Sequence, residues 1–379
     1  MLTYADLFVF GIDKPQMANT FELQKDVPLA PFTTLKIGGK ARFFVRVEGE
    51  KTLREAFDFA ENRELPIFVL GGGSNVLISD EGFDGVVLHI AFKGIISSEF
   101  QAPSSELNTD SNSEPETGRS KLITVGAGED WDDFVAYCVE KGLAGIECLS
   151  GIPGFVGGTP VQNVGAYGQE VAETIMSVRC FDRESRQFVK LENGDCGFSY
   201  RSSIFNSVAR ERYIVLNVTF ALRRDGKPKI IYEDLLELFA GQSPSLAETR
   251  DAVLQIRRAK SMVIDPNDIN SRSAGSFFKN PIVSPKKLAS LASVFGDMPY
   301  FSVNESNVKI PAAWLIEKAG FHKGMRRGPA GISNKHTLAL VNFENASAAD
   351  ILDLKTSIQA AVNSKFGIML QPEPVFIGF

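Results

Sequence analysis

The sequence predicts a mixed α+β protein of more than one domain, and three observations carry that prediction. The chain has 379 residues, more than the roughly 250–300 at which a single core stops growing. Its first half alternates short β-branched runs with helical patterns, as βαβ-like units do. Beyond a charged break, RRDGKPK (223–229), the pattern turns more helical.

The first globular signal is PFTTLKIGGKARFFVRV (31–47), strand-like on both sides of a Gly38-Gly39 turn. A helix follows, with Leu53, Ala56, Phe57 and Ala60 on one face. PIFVL (66–70) reads as a buried strand running into GGGSN, and GVVLHI (85–90) and LITVGAG (122–128) as further strands. Between these two lies QAPSSELNTDSNSEPETGRS (101–120), too polar to offset its ordering entropy and therefore expected to be a mobile surface excursion. The next helix buries Trp131, Phe134, Val135, Cys138 and Val139 and stops at Gly142. YIVLNVTFAL (213–222) is a strand. After the charged break, Ser245 and Glu248 form a capping box, Pro285 opens a second helix, and Ile351, Leu354, Ile358 and Val362 line a third that ends at Gly367.

Composition narrows the function. Hydrophobic content of 44%, charged content of 23% and a net charge of −6 suit an ordinary globular protein and argue against a general nucleic-acid binder. The four cysteines form no CxxC pair, and the three histidines have no metal-site spacing. The opening residues carry Asp6 and Asp13 without a basic leader, and no apolar run approaches the roughly 20 residues that span a bilayer. The expectation is a cytoplasmic protein in a reducing compartment, with no membrane insertion and no metal.

Glycine concentrates in LGGGSNVL (70–77), in LSGIPGFVGGTPVQNVGAYG (149–168) and at the start of SAGSFFKNP (273–281). Glycines let backbone N–H groups converge on an anion, and Ser74, Asn75, Thr159 and Asn163 add side-chain donors. Each loop alone reads equally as a tight turn. Neither the P-loop nor the complete GxGxxG pattern is present, so together they favour a long phosphate-bearing cofactor of unspecified kind.

Taken in order, GGGSNVLISDEGFDG, GIPGFVGGTPVQNVGAYGQE, YRSSIF, SAGSFFKNP and LQPEPVFIG resemble the UDP-N-acetylenolpyruvoylglucosamine reductase family, also called UDP-N-acetylmuramate dehydrogenases. These are flavoenzymes of bacterial peptidoglycan precursor synthesis. The resemblance runs from about Phe21 to the C-terminus and implies an FAD-binding domain of the PCMH or vanillyl-alcohol-oxidase type plus a smaller α/β substrate domain. The implied divisions are an N-terminal extension (1–20), FAD subdomains at 21–90 and 91–226, a substrate domain at 227–366, and a C-terminal segment (367–379) returning to the active site. It also implies a reaction in which NADPH reduces non-covalent FAD and flavin N5 passes hydride to an enolpyruvyl double bond. A monomer with no nucleic-acid partner is expected.

The resemblance implies roles as well. Gly71, Gly72, Gly73, Ser74 and Asn75 fall on the pyrophosphate loop, and Ile152, Pro153, Gly158, Thr159, Asn163, Gly165 and Tyr167 on a second flavin-contacting segment. Arg201, Ser276 and Glu373 match the three catalytic residues. Tyr200, Tyr232, Lys260 and Asn280 match substrate contacts, with Tyr232 of IIYEDL as a tyrosine that covers the uridine. The chemistry suits these residue types. Hydride addition to an enol ether conjugated to a carboxylate leaves an enolate, which a fixed guanidinium stabilises. A carboxyl in an apolar site keeps its proton and can donate a hydrogen bond, and a shielded hydroxyl can deliver the last proton.

Plainer readings stand beside these. Ser276 can cap a Gly275 turn, Arg201 can be a surface ion-pair partner, Tyr232 a strand-end aromatic, and Glu373 a solvated group. Lys335, His336 and His322 read as structural or surface groups. The competing function is a flavin oxidase of the same fold acting on an alcohol or sugar. Many such enzymes tether FAD through His or Cys, and the two main glycine loops contain no histidine.

Overall fold

A computed structural model describes residues 21–99, 120–296 and 298–379. The N-terminal extension and all but Ser120 of the expected excursion lie outside the described residues.

The first layer comprises β1 (Gln24–Pro28), β2 (Lys40–Val47), α1 (Glu50–Glu61), β3 (Ile67–Leu70), β4 (Val76–Ile78) and β5 (Phe83–Ile90). Its sheet has the order β1-β2-β5-β3, with β2 and β3 both parallel to β5. Parallel neighbours need a crossover, and α1 supplies it. Leu53, Ala56, Phe57 and Ala60 are buried on the face the pattern predicts. The chain leaves β3 through the GGGSN loop, so that loop sits at the C-terminal end of a sheet strand.

The second layer comprises β6 (Ile95–Glu99), β7 (Ser120–Gly126), α2 (Trp131–Glu140), β8 (Leu143–Ala144), β9 (Gly165–Ala166), β10 (Gln169–Glu170), β11 (Ile175–Asp182), β12 (Gln187–Glu192) and β13 (Tyr213–Arg224). Its antiparallel sheet runs β12-β11-β13-β7-β6, with β8 paired to the end of β13. Asp130 caps α2 by accepting from the N–H groups of Asp132 and Asp133, while Trp131, Phe134, Val135 and Cys138 are buried. One apolar cluster, including Val45, Phe57, Trp131, Phe134, Val178 and Phe220, joins both layers.

The remainder comprises α3 (Glu233–Phe239), α4 (Leu246–Ala259), β14 (Ser273–Ser276), β15 (Ile282–Val283), α5 (Pro285–Phe295), β16 (Phe301–Asn304), β17 (Asn307–Lys309), α6 (Ala312–Lys318), β18 (Arg326–Arg327), β19 (Ala330–Ile332), β20 (Ala339–Asn342), α7 (Ala348–Phe366) and β21 (Val375–Ile377). A sheet of order β14-β20-β19-β18 packs under α7, and Phe277, Phe278, Leu340, Ile351, Ile358 and Phe366 share its core. The helices α3 and α4, grouped by sequence with this C-terminal part, pack instead on the second layer. Leu235, Ala252 and Val253 cluster with Cys148, and Arg250 forms two hydrogen bonds, at 2.5 and 2.9 Å, to Asp132 of α2. Finally β21 returns to the first layer and pairs in parallel with β4, Val375 opposite Val76. That pairing sets the end of the chain beside the GGGSN loop.

Candidate active site

The site begins with a hairpin of two residues. Ser199 and Ser202 exchange backbone hydrogen bonds at 2.9 and 3.0 Å, which leaves Tyr200 and Arg201 at the tip. Arg201 adopts φ 53°, a left-handed conformation that costs a side-chain-bearing residue about 1 kcal/mol or more. Its neighbours hold it there: its carbonyl accepts from Asn206 Nδ2 at 3.2 Å and Lys279 Nζ at 3.4 Å, and its NH2 donates to Gly165 O at 2.8 Å. Nε lies 3.6 Å from Glu373 Oε2.

Glu373 comes from the opposite end of the chain. Its N–H donates to Phe277 O at 2.9 Å, and Lys279 N–H donates to Gln371 O at 2.9 Å. The segment QPEP thus lies antiparallel to SFFKN and brings Glu373 near Ser276. Asn75 completes the clasp: Nδ2 donates to Gln162 Oε1 at 2.7 Å and to Glu373 O at 3.3 Å, and its carbonyl accepts from Val375 N–H. Burial raises the Glu373 carboxyl above the ordinary glutamate value, while Arg201 and Lys279 pull it back without cancelling the rise. At 3.6 Å the Arg201 contact is long, and burial outweighs it.

These groups face one cavity of about 720 Å³. Of the residues singled out by sequence, Ser74, Asn75, Ile152, Pro153, Gly165, Tyr167, Tyr200, Arg201, Tyr232, Lys260, Ser276, Asn280 and Glu373 all line it. The plain capping role for Ser276 is not what its hydroxyl does, since Oγ meets Nε2 of His336 at 3.3 Å. Tyr232 precedes α3 and meets Tyr167 edge-on at 5.2 Å between ring centroids. Lys260 pairs with Asp234 at 2.9 Å. Asn280 Oδ1 accepts from Ala312 N–H at 2.8 Å, which fixes its side chain.

Thr159, Asn163 and the glycines Gly71, Gly72, Gly73 and Gly158 are not among the lining residues. Thr159 Oγ1 donates to Val156 O at 2.8 Å, and Asn163 binds Glu170 Oε2 and Ser199 O at 2.7 and 3.1 Å. Thr159 serves the loop itself, and Asn163 ties it to Glu170 and to the hairpin that carries Arg201. Gly72 and Gly73 serve close packing of backbone on backbone: a Cβ on Gly72 would lie 2.7 Å from Gly154 Cα, and one on Gly73 1.9 Å from Phe32 O. At Gly71 and Gly158 a Cβ would meet nothing within 4 Å.

Thr34, Arg257, Lys309 and His336 are among the further cavity residues that the sequence did not assign to the site. Lys309 Nζ lies 4.6 Å from the Tyr200 ring centroid, and burial next to the charge of Arg201 lowers its ammonium below the usual lysine value. His336, read from sequence as structural or surface, sits at the hydroxyl of Ser276 because strand pairing carries it there. Among the described residues no His, Cys, Asp and Glu cluster is arranged to hold a metal ion, and no helix is long and apolar enough to cross a membrane.

Two glycine loops packed together at a strand end, beside a cavity with charged and polar groups on its wall, suit a phosphate-bearing cofactor, and comparison with known proteins makes the class an FAD-binding oxidoreductase. Residues 41–189 match the FAD binding domain family, and residues 265–377 match the C-terminal domain of UDP-N-acetylenolpyruvoylglucosamine reductase. The reductase of that name from Thermobifida fusca (strain YX) is 44% identical over 371 residues, covering 95% of this chain and 99% of that one. The Streptomyces coelicolor protein is 44% identical over 365 residues, covering 93% and 90%. The crystal structure of the Thermus caldophilus reductase superposes with a TM-score of 0.61 at 26% identity, over 94% of this chain and 98% of that chain. The chain belongs to the UDP-N-acetylenolpyruvoylglucosamine reductase family.

The residues present fit a flavin dinucleotide. Among the described residues, two buried side-chain polar atoms lack a protein partner: Thr34 Oγ1 and Arg257 Nε. Both residues line the cavity, where flavin carbonyl and phosphate oxygens can accept from them.

Proposed function

We propose that this cavity reduces UDP-N-acetylglucosamine enolpyruvate to UDP-N-acetylmuramate, with NADPH as electron donor, as a step of peptidoglycan precursor synthesis. The observation that supports it most is the convergence of Arg201, Glu373 and Ser276, from three distant segments, on one cavity wall. Bound FAD supplies the two-electron link between a nicotinamide and the enolpyruvyl double bond. The protein's own work is to grip, shield and protonate. Arg201 holds the substrate carboxylate and stabilises the charge that spreads into it. Glu373, which burial shifts toward its protonated form, donates a hydrogen bond to the same oxygens in that form without opposing the charge. Ser276 gives its proton to the α-carbon. Tyr232, its ring against Tyr167 of the flavin-contacting segment, closes over the nucleotide end, with Lys260 and Asn280 as polar contacts.

The test is an anaerobic titration in two steps. NADPH bleaches the flavin absorbance, and the enolpyruvyl nucleotide then restores it; restoration by oxygen alone supports the oxidase instead. Ser276→Ala leaves bleaching intact and slows restoration by about 10²–10⁴-fold. Equal slowing of both steps contradicts the proton-donor role.

A further inference from the structure

Ser276 lies opposite Ala339 in the β14–β20 ladder, and Phe277 N–H donates to Leu338 O at 2.8 Å. This register brings the turn before β20 alongside the Ser276 hydroxyl. The turn is pinned on both flanks. Asn334 N–H donates to Asn270 Oδ1 at 2.9 Å, Lys335 Nζ pairs with Asp268 at 3.1 Å, and Thr337 Oγ1 donates to Glu317 Oε1 at 2.5 Å. From it His336 reaches the cavity and sets Nε2 3.3 Å from Ser276 Oγ.

A hydroxyl has one proton and can place it in two ways against a neutral imidazole. If it donates to the ring, the proton points away from any acceptor in the cavity. If the ring donates from Nε2–H, an Oγ lone pair is engaged and the O–H bond is free to turn inward. The second arrangement also stabilises the oxygen as its proton departs. Burial, joined by the positive charges of Lys260, Lys323 and Arg257 and opposed by Glu317, lowers His336 to about 4. The ring is therefore neutral in neutral solution, with one N–H to give.

We propose that His336 is a positioning residue for Ser276, donating from Nε2–H to Oγ and so aiming the hydroxyl proton at the acceptor carbon of the substrate. The inference rests on reading Ser276 as the proton donor. In the step itself the Ser276 O–H bond breaks as the α-carbon–H bond forms. The alkoxide is held by Nε2–H until it regains a proton from solvent.

The experiment follows anaerobic reoxidation of NADPH-reduced holoenzyme by the enolpyruvyl nucleotide in wild type, H336A, H336Q, S276A and the S276A/H336A double variant. H336A slows reoxidation by about 10–100-fold and leaves bleaching by NADPH unchanged. H336Q, whose amide N–H can still donate, recovers most of the rate. In the S276A background H336A adds no more than about a twofold loss, because a residue that acts through Ser276 has nothing left to act on. Wild-type speed in H336A overturns the proposal. So does equal slowing by H336A with and without Ser276, which assigns the ring to direct substrate contact or to folding. Should H336A fail to fold, H336Q and H336N carry the comparison, and an H336N rate equal to wild type overturns it likewise. S276A at wild-type speed removes the proton-donor reading itself, a separate outcome.

Discussion

Glu373 shows how one side chain can be wrong for a task in one protonation state and right in the other. A carboxylate beside a developing enolate opposes it, whereas a carboxylic acid assists. Burial raises the group above its ordinary value despite Arg201 and Lys279, so the neutral form is favoured over a window above the usual glutamate range. The prediction separates shape from charge. Glu373→Gln keeps a neutral donor of the same length and loses less than about tenfold in rate, while Glu373→Ala loses about 10²–10³. Stability moves the other way. Between the ordinary and the raised value the native state binds the extra proton, so stability falls as pH rises through that window. Glu373→Gln removes the fall, which urea unfolding at several pH values reads directly. A glutamine variant as slow as the alanine variant shows that the charge itself is needed.

At the level of elements, the glycine loops separate two jobs that look alike in sequence. GGGSN reads as a run of glycines waiting for a phosphate. The structure divides it: Gly72 and Gly73 let the loop pack against Gly154 and Phe32, while Gly71 opens onto empty space. Gly73→Ala, at φ +62° and with its Cβ 1.9 Å from Phe32 O, destabilises the apoprotein by about 1 kcal/mol or more. Gly71→Ala leaves the apoprotein melting temperature unchanged and weakens FAD binding, measured by flavin fluorescence. If both substitutions alter only melting, Gly71 has no part in holding the cofactor. Helices were the most legible elements, because periodicity and caps are local. Ser245 with Glu248 forms the expected capping box, Pro285 opens α5, and Gly367 closes α7 at φ 61°. Arg201 at a hairpin tip was legible as a residue type, but its left-handed backbone was not, since no glycine marks it.

Across the whole molecule, what stayed hidden is what strand pairing decides. The β21–β4 pair links residues about 300 positions apart, and the Ser276–Ala339 register delivers His336; neither leaves a local pattern. The pH dependence of folding is likewise a property of the assembled core. Burial lowers His89 and His336 to about 4, with Arg46 adding to the effect at His89 and Lys260 foremost at His336. An unfolded histidine titrates near 6.5, so between 6.5 and about 4 the unfolded chain binds more protons and stability falls as the pH drops. Below that range a second loss begins. Arg212 holds Asp182 at about 2, and hydrogen bonds from Ser261, Asn270 and Lys335 overcome burial to hold Asp268 at about 2. Those contributions vanish as pH falls from the ordinary aspartate value through about 2. Acid unfolding therefore has two stages, and they can be separated at His89. Its ring lies 5.3 Å from Phe32, 5.7 Å from Phe44 and 5.9 Å from Phe155, centroid to centroid, so phenylalanine suits the surroundings. In His89→Phe the urea midpoint declines less steeply between pH 6.5 and 4, while the steeper loss below pH 4 is unchanged. Parallel curves for variant and wild type over the upper window show that His89 is not held neutral by the fold.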